Sequence, residues 1–247
     1  MNDHELAARL ATRAGDLLLD VRADYADAPA AERKAAGDKQ SHDFLMAELA
    51  ALRPVDSVLS EEATADQRAD PARLSAERVW IVDPLDGTRE FSELGRDDWA
   101  VHVALWSAGE LVAGAVALPA QNTTLSTPDV AAPRPFDGPP RVVVSRTRPP
   151  AVALAVREAL GGTLVEMGSA GAKVAAVIRG IADVYVHAGG QYEWDSAAPV
   201  AVARAAGLHT SRIDGSPLVY NSADPTLPDL IVCRPELAEQ VPAVTAG

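Results

Sequence analysis

The residues best suited to chemistry are acids grouped at the ends of short apolar runs. Val79 to Val82 leads directly into Asp83-Pro84-Leu85-Asp86-Gly87-Thr88, so a buried-type strand exits into two carboxylates three residues apart. Pro84 stiffens that exit, and Gly87 lets the backbone turn closely. Two acids on one tight turn repel unless a cation sits between them. Oxygen ligands without a Cys or His partner point to Mg²⁺ or Mn²⁺ rather than zinc. The same pair is also compatible with a strand-end turn in which Asp caps backbone N–H groups. Ser60-Glu61-Glu62 follows the apolar pair Val58-Leu59, which puts further acids at a strand exit. Glu193-Trp194-Asp195 opens a helix, where Asp195 is either a ligand or an N-cap. Asp38 and Asp43 precede or enter the second helix, as ligand-side partners or as solvated acids.

The elements that must position these groups can be read from periodicity. Leu6, Leu10, Leu17, Leu18 and Val21 predict an amphipathic helix over 3–22. Residues 23–40 are small and polar and read as a mobile loop, with a second helix from Ser41 to Arg53, stopped by Pro54. Trp99 to Trp106 and Leu111 to Leu118 read as a hairpin turning near Gly109. His102 alternates with Val101 and Val103 and reads as a structural residue of that strand. The segment 128–140, with five prolines, marks a boundary between two lobes. Beyond it strands at 141–145, 164–167, 182–187 and 230–233 alternate with helices at 151–160, 170–179 and 196–206, which indicates layered helices and sheets.

Composition narrows the classes. The chain has 247 residues, with 22 Lys+Arg against 35 Asp+Glu, a net charge of −13. That balance disfavours nucleic-acid partners and docking on an anionic membrane. No apolar run reaches the roughly 18 residues of a membrane span, and no secretory signal is visible at Met1-Asn2-Asp3-His4-Glu5, so a cytoplasmic location is expected. The single cysteine, Cys233, excludes an internal disulfide or a cysteine metal cage and reads as a small buried hydrophobe.

Three ordered motifs, Glu61-Glu62, Asp83 to Thr88, and Trp194-Asp195-Ser196-Ala197-Ala198, resemble those of the lithium-sensitive, magnesium-dependent phosphomonoesterase superfamily. It contains inositol monophosphatases, fructose-1,6-bisphosphatases and 3′(2′),5′-bisphosphate nucleotidases. The resemblance spans nearly the whole chain. It implies an α/β fold, a layered αβαβα sandwich with a metal-binding lobe at 1–140 and a substrate-binding lobe at 141–247 in one catalytic unit, with a homodimer as an open expectation. It implies two or three Mg²⁺ ions, with Mn²⁺ as an alternative. Glu61, Asp83 and the carbonyl oxygen of Leu85 would hold the first; Asp83, Asp86 and Asp195 the second; a weaker third would lean on Glu61 through water. Thr88 would polarise the attacking water, backed by a carboxylate. The corresponding stretch, Gly37-Asp38-Lys39-Gln40-Ser41-His42-Asp43, lacks the superfamily's Val-Thr pair. Asp43 is assigned the role, with Asp38 as the alternative. The N–H groups of Gly87 and Thr88 would cradle the phosphate, and Glu62 would support the ligands from outside.

The second half bears on the substrate, a small phosphate ester. Residues 182–195 end in Glu193-Trp194-Asp195 with a spacing similar to bisphosphate nucleotidases of the CysQ type, and His187 stands where inositol monophosphatases usually carry a glutamate. Gly168-Ser169-Ala170-Gly171-Ala172-Lys173 resembles a nucleotide-contacting G-S-S-x-K segment with one serine missing, and Ser145-Arg146 resembles the S-R segment after the matching strand. Lys173 is expected to meet the second, non-scissile phosphate, and Arg146 suits a phosphate or purine face or equally a surface charge. Lys173 also reads as a helix lysine with its stem on apolar surface. The resemblance therefore implies removal of the 3′-phosphate of 3′-phosphoadenosine 5′-phosphate to give AMP, in sulfate assimilation. Inositol monophosphatase or fructose-1,6-bisphosphatase activity is the alternative, and a non-catalytic phosphate-ester sensor the rival class.

Overall fold

The computed structural model describes residues 1–135 and 137–246. The chain opens with α1 (Asp3–Asp24) and α2 (Ala30–Leu52), followed by β1 (Ser57–Ser60), α3 (Ala65–Arg68), α4 (Pro71–Leu74), β2 (Arg78–Asp86), α5 (Thr88–Ser92), β3 (Ala100–Ser107), β4 (Glu110–Leu118) and β5 (Thr123–Ser126). The second half contributes β6 (Arg141–Ser145), α6 (Ala151–Ala159), β7 (Thr163–Met167), α7 (Ala170–Ile178), β8 (Val184–Ala188), α8 (Glu193–Ala205), β9 (His209–Ser211), β10 (Asp229–Cys233) and α9 (Gln240–Thr245).

Two five-stranded sheets result, ordered β1-β2-β3-β4-β5 and β7-β6-β8-β10-β9. In the first, β1 and β2 are parallel and the remaining neighbours antiparallel. In the second, β6 runs parallel to both β7 and β8, while β10 is antiparallel to β8 and β9. Strand alternation sends side chains to opposite faces. Trp80, Val82, Val101 and Val103 pack with Leu6, Leu10 and Leu45 of α1 and α2. Val79, Ile81, Ala104 and Val116 pack with α7 and α8, which also cover Val143, Tyr185 and Val232 of the second sheet. Val142, Val144 and Ile231 pack with Val156 of α6 and Val241 of α9. The layers are helix, sheet, helix, sheet, helix. α7 and α8, from the second half of the chain, form the middle layer against both sheets.

The expected loop over 23–40 is instead mostly helix, since α2 starts at Ala30. Alanines 30, 31, 35 and 36 with Glu32, Arg33 and Lys34 favour helix intrinsically. Arg33 is buried and donates to the carbonyls of Tyr25, Ala26, Ala28 and Ser92, which pins the preceding turn. Gly37 has no room for a side chain: a Cβ there would lie 2.7 Å from Phe91 and 2.9 Å from Leu85. α2 is thereby pressed against the Asp83–Thr88 segment, and Ser41 Oγ donates to the Pro84 carbonyl at 2.7 Å. No helix is long and apolar enough to cross a membrane among the described residues.

Candidate metal centre and substrate cavity

β2 is buried along nearly its whole length and carries Asp83 and Asp86 into the space between α2, α7 and α8. Asp83 is 1 % exposed, and its Oδ1 accepts from the Leu85 N–H at 3.0 Å. Asp195 lies in the first turn of α8, where Oδ2 accepts from the Tyr192 N–H at 2.6 Å. Carboxylate oxygens of Asp83, Asp86 and Asp195 all lie within 4.8 Å of one another. Glu61, just past the end of β1, lies near enough to Asp83 and Asp86 for their charges to act on it.

The electrostatics show what this grouping requires. Burial, then Glu61, Asp86 and Asp195, push Asp83 well above the usual carboxylate range. Burial and the neighbouring acids raise Glu61 to about 7. Burial and Asp86 raise Asp195 to about 7. Asp86 is the exception. Burial would raise it, but His102, the Gly171 N–H and Lys173 outweigh that and lower it. Its oxygens accept from Ala170 N at 3.2 Å and Gly171 N at 2.5 Å, at the start of α7, where aligned peptide dipoles favour an anion. Two buried carboxylates, Asp83 and Asp86, and two half-buried ones, Glu61 and Asp195, converge, and among the described residues no Lys or Arg is ion-paired to any of them. An all-oxygen donor set of this charge fits hard divalent cations.

His102 has more to do than fill the strand. Its register partner across the sheet is Asp83, its Nε2 sits 3.2 Å from Asp86 Oδ2, and its Nδ1 lies 3.0 Å from the Trp194 carbonyl. Burial would lower its basicity, but Asp86 and the Trp194 carbonyl raise it. The ring thus ties the acid on β2 to the residue preceding Asp195. A Cβ at Gly171 would lie 2.1 Å from His102 Nε2, so only glycine admits this contact. A histidine inside an apolar strand, paired beside an acid-bearing strand, was the available signal.

Thr88 opens α5, with Gly87 as a left-handed N-cap at φ +82°; a Cβ at Gly87 would lie 2.7 Å from Ser169 Cβ. Thr88 Oγ1 lies 3.2 Å from the Leu85 carbonyl and 3.5 Å from Asp38 Oδ1. The expected partner, Asp43, is not there. It is exposed and pairs with Lys39 at 2.5 Å. Five residues at 100° each put Asp43 about 140° round α2 from Asp38, so both cannot face Thr88. Burial and the nearby Glu62 raise Asp38 to about 6. Glu62 itself is exposed.

A cavity of about 580 Å³ opens beside the acids, lined by Asp86, Gly87, Ser145, Arg148, Lys173 and Gln191 among others. The second-half residues predicted to meet substrate divide here. Gly168, Ser169 and Lys173 line the cavity but are already bonded. The Gly168 N–H donates to Asp98, Ser169 Oγ caps α7 through the Ala172 N–H, and the Lys173 ammonium donates to the Gly168 and Ser169 carbonyls. This segment therefore builds the helix start that holds Asp86. Arg146 lies outside the cavity wall and is held by Glu90 and Glu93. Glu193 is also outside it. Its carboxylate accepts from the Asn221 and Ser222 N–H groups at 2.7 and 2.8 Å, fixing a distant turn.

Comparison with known proteins places this geometry. The chain is 53% identical over 234 residues to a Mycobacterium tuberculosis protein named 3′-phosphoadenosine 5′-phosphate phosphatase, covering 91% of this chain and 86% of that one. It is 32% identical over 234 residues to the Escherichia coli K12 protein named 3′(2′),5′-bisphosphate nucleotidase CysQ, covering 86% and 91%. The fold matches inositol monophosphatase II from Staphylococcus aureus with a TM-score of 0.79 at 20% identity, over 96% of this chain and 91% of that one. The profile of the inositol monophosphatase family matches residues 4–132 and 141–245. The chain belongs to the inositol monophosphatase family.

Proposed function

We propose that the protein is a Mg²⁺-dependent phosphomonoesterase that removes the 3′-phosphate of 3′-phosphoadenosine 5′-phosphate to give AMP, as in sulfate assimilation. The observation that carries the reading is the set Asp83, Asp86 and Asp195 converging beside a cavity large enough for a nucleotide-sized ester. The names of the relatives at 53% and 32% identity support the substrate.

Asp83, Asp86, Asp195, Glu61 and the Leu85 carbonyl are the groups to hold the metals. When bound, divalent ions supply charge neutralisation at the phosphoryl oxygens and an acidified water. Thr88 Oγ1, placed between the Leu85 carbonyl and Asp38, orients the attacking water, and Asp38 takes the proton passed through that hydroxyl. Gly87 and Thr88 N–H groups cradle the scissile phosphate. The second phosphate of the substrate needs its own cation. Arg148 lines the cavity, is exposed and has no ion-pair partner among the described residues, so it takes this role ahead of Lys173 and Arg146.

The test is phosphate release from the adenosine bisphosphate, inositol 1-phosphate and fructose 1,6-bisphosphate at saturating Mg²⁺. The adenosine bisphosphate is expected to have the highest kcat/KM. A higher value for either other ester overturns the assignment of substrate.

A further inference from the structure

Glu61 opens a stretch that has little apolar hold on the rest of the molecule. Among residues 61–78, all within the described part of the chain, Arg73 alone is buried. α3 buries no side chain, and α4 buries only Arg73. A segment with so little apolar burial opens easily, yet this one begins with a candidate metal ligand. The backbone of that ligand is held on both sides. The Glu61 N–H donates to the Val82 carbonyl at 3.3 Å, and the Glu61 carbonyl accepts from the Arg68 guanidinium.

Arg68 joins this stretch to α8. Its guanidinium lies over the indole of Trp194, 4.7 Å from the ring centroid. Trp194 is 2 % exposed and immediately precedes Asp195. A guanidinium suits both contacts, since its plane rests on an aromatic face while its N–H groups donate to a carbonyl. Arg68 is itself anchored. Its backbone carbonyl accepts from Arg73, at 3.1 Å from Nε and 2.6 Å from Nη2. Arg73 also donates to Asn221 Oδ1 at 2.5 Å and to the Ser222 carbonyl at 3.0 Å. The N–H groups of those same two residues donate to the Glu193 carboxylate. The path from Glu61 thus reaches α8 twice, at Trp194 and at Glu193, the two residues ahead of Asp195.

We propose that Arg68 is a positioning residue that, anchored by Arg73, fixes Glu61 relative to Asp195 so that both acids meet one metal centre. This rests on the metal-binding reading given above. Among the described residues, neither arginine is bonded to a carboxylate of the cluster. Arg68 holds Glu61 by its backbone carbonyl, which leaves the charge of the acids for the cations. Loss of Arg68 therefore acts first on metal affinity, because a ligand on a loosened loop must be ordered each time an ion binds.

The experiment is calorimetric titration of Mg²⁺ into the substrate-free protein. Arg68→Ala is expected to weaken Mg²⁺ binding by about 10–100-fold, the usual cost of losing a group that orients a ligand. In a Glu61→Gln background the same substitution is expected to cost no further affinity, since the ligand it positions is already gone. Wild-type affinity in Arg68→Ala overturns the proposal. A loss of the same size with and without Glu61 also overturns it and makes Arg68 a general support of the fold. Arg68 is half-buried and lies outside the three apolar clusters, so the variant is expected to fold, and a melt in chelator checks this. A wild type that takes up no Mg²⁺ defeats the metal-binding reading itself and the proposal with it, and that result is read before any variant.

Discussion

Asp83 and Asp183 are both carboxylates with almost no exposed surface, 1 % and 0 %; Asp83 lies in β2 of the first sheet and Asp183 immediately before β8 of the second. Their surroundings are opposite. Asp183, just ahead of β8, accepts from the Arg141 backbone at 2.9 Å and from the Arg141 and Arg234 guanidinium groups. Asp83 faces Glu61, Asp86 and Asp195. One buried acid has been given its counter-charges by the chain. The other is surrounded by like charges, so its counter-charge must come from outside the chain. Burial of an acid therefore does not mark a site; a withheld counter-ion does.

The comparison breaks most sharply at Asp83. Asp83→Asn keeps the oxygen that accepts from Leu85 but removes a charge from the cluster. Turnover is expected to fall more than about 10⁴-fold, beyond the range of acid–base groups. The metal-free protein is expected to gain ~1 kcal/mol through relieved repulsion, about 2–4 °C in melting temperature for a domain of this size. Phosphate release in saturating Mg²⁺ and thermal melts in chelator measure both. Residual activity within tenfold of wild type, or a melting temperature that falls, removes Asp83 from the metal centre.

Next in size is Thr88→Ala, expected to lower kcat by about 10²–10⁴ with little change in KM, because the hydroxyl acts on water rather than on binding. Asp38→Asn should reproduce this loss, and Asp43→Asn should leave turnover at the wild-type level. Were Asp43→Asn the damaging variant, the position of Asp38 opposite Thr88 would have no catalytic meaning.

These residues also show how far the sequence could be read. Asp83, Asp86 and Asp195 could be singled out because two acids three residues apart at a strand exit repel without a cation and because the family motifs name all three, and their carboxylates do converge. The αβαβα layering was legible through the family motifs. Asp38 was obscured by one misplaced helix start: with 23–40 taken as loop, nothing distinguished the face of Asp38 from that of Asp43. Gly168, Ser169, Lys173, Arg146 and Glu193 have the residue types of a substrate site, and the chain uses most of their polar atoms internally. Residue type does not state which hydrogen bonds are already made. His102 is a buried strand residue as read, but apolar neighbours in a strand hide what lies across the sheet, here Asp83.

His102 stands between the two buried acids in character, for it gives Asp86 a partial counter-charge. His102→Gln is expected to weaken Mg²⁺ binding by about 10–100-fold, the usual cost of losing a group that orients a ligand. Titration of Mg²⁺ by calorimetry reads this directly, and unchanged affinity would confine His102 to packing. A smaller effect is expected at Lys173, whose ammonium is bonded to two carbonyls. Lys173→Met should lower kcat/KM for the adenosine bisphosphate and for inositol 1-phosphate by the same factor, about tenfold. Arg148→Ala should lower only the former. A selective effect at Lys173 with none at Arg148 would exchange their roles.

The smallest effect on turnover, none, is expected at Asp183, and there the comparison is tested through stability. Burial alone would raise the Asp183 carboxyl, but the Arg141 hydrogen bonds and the Arg234 charge outweigh it and hold the group below its usual 3.8. A folded-state value below the unfolded one means the unfolded chain takes up the proton first. The stabilisation is therefore complete above about pH 4 and is lost as pH falls through the lower folded-state value. Asp183→Asn removes it at every pH and leaves Arg234, which is 2 % exposed, without its carboxylate. The variant should be about 3–5 kcal/mol less stable at pH 7, the cost of breaking a buried pair from one side. Denaturant unfolding from pH 7 down to pH 3 then gives the decisive curve. The gap between wild type and variant should be constant above pH 4 and should narrow below it. A gap that stays constant down to pH 3 means the pairing with Arg141 and Arg234 does not depress Asp183, and the contrast with Asp83 loses its electrostatic basis.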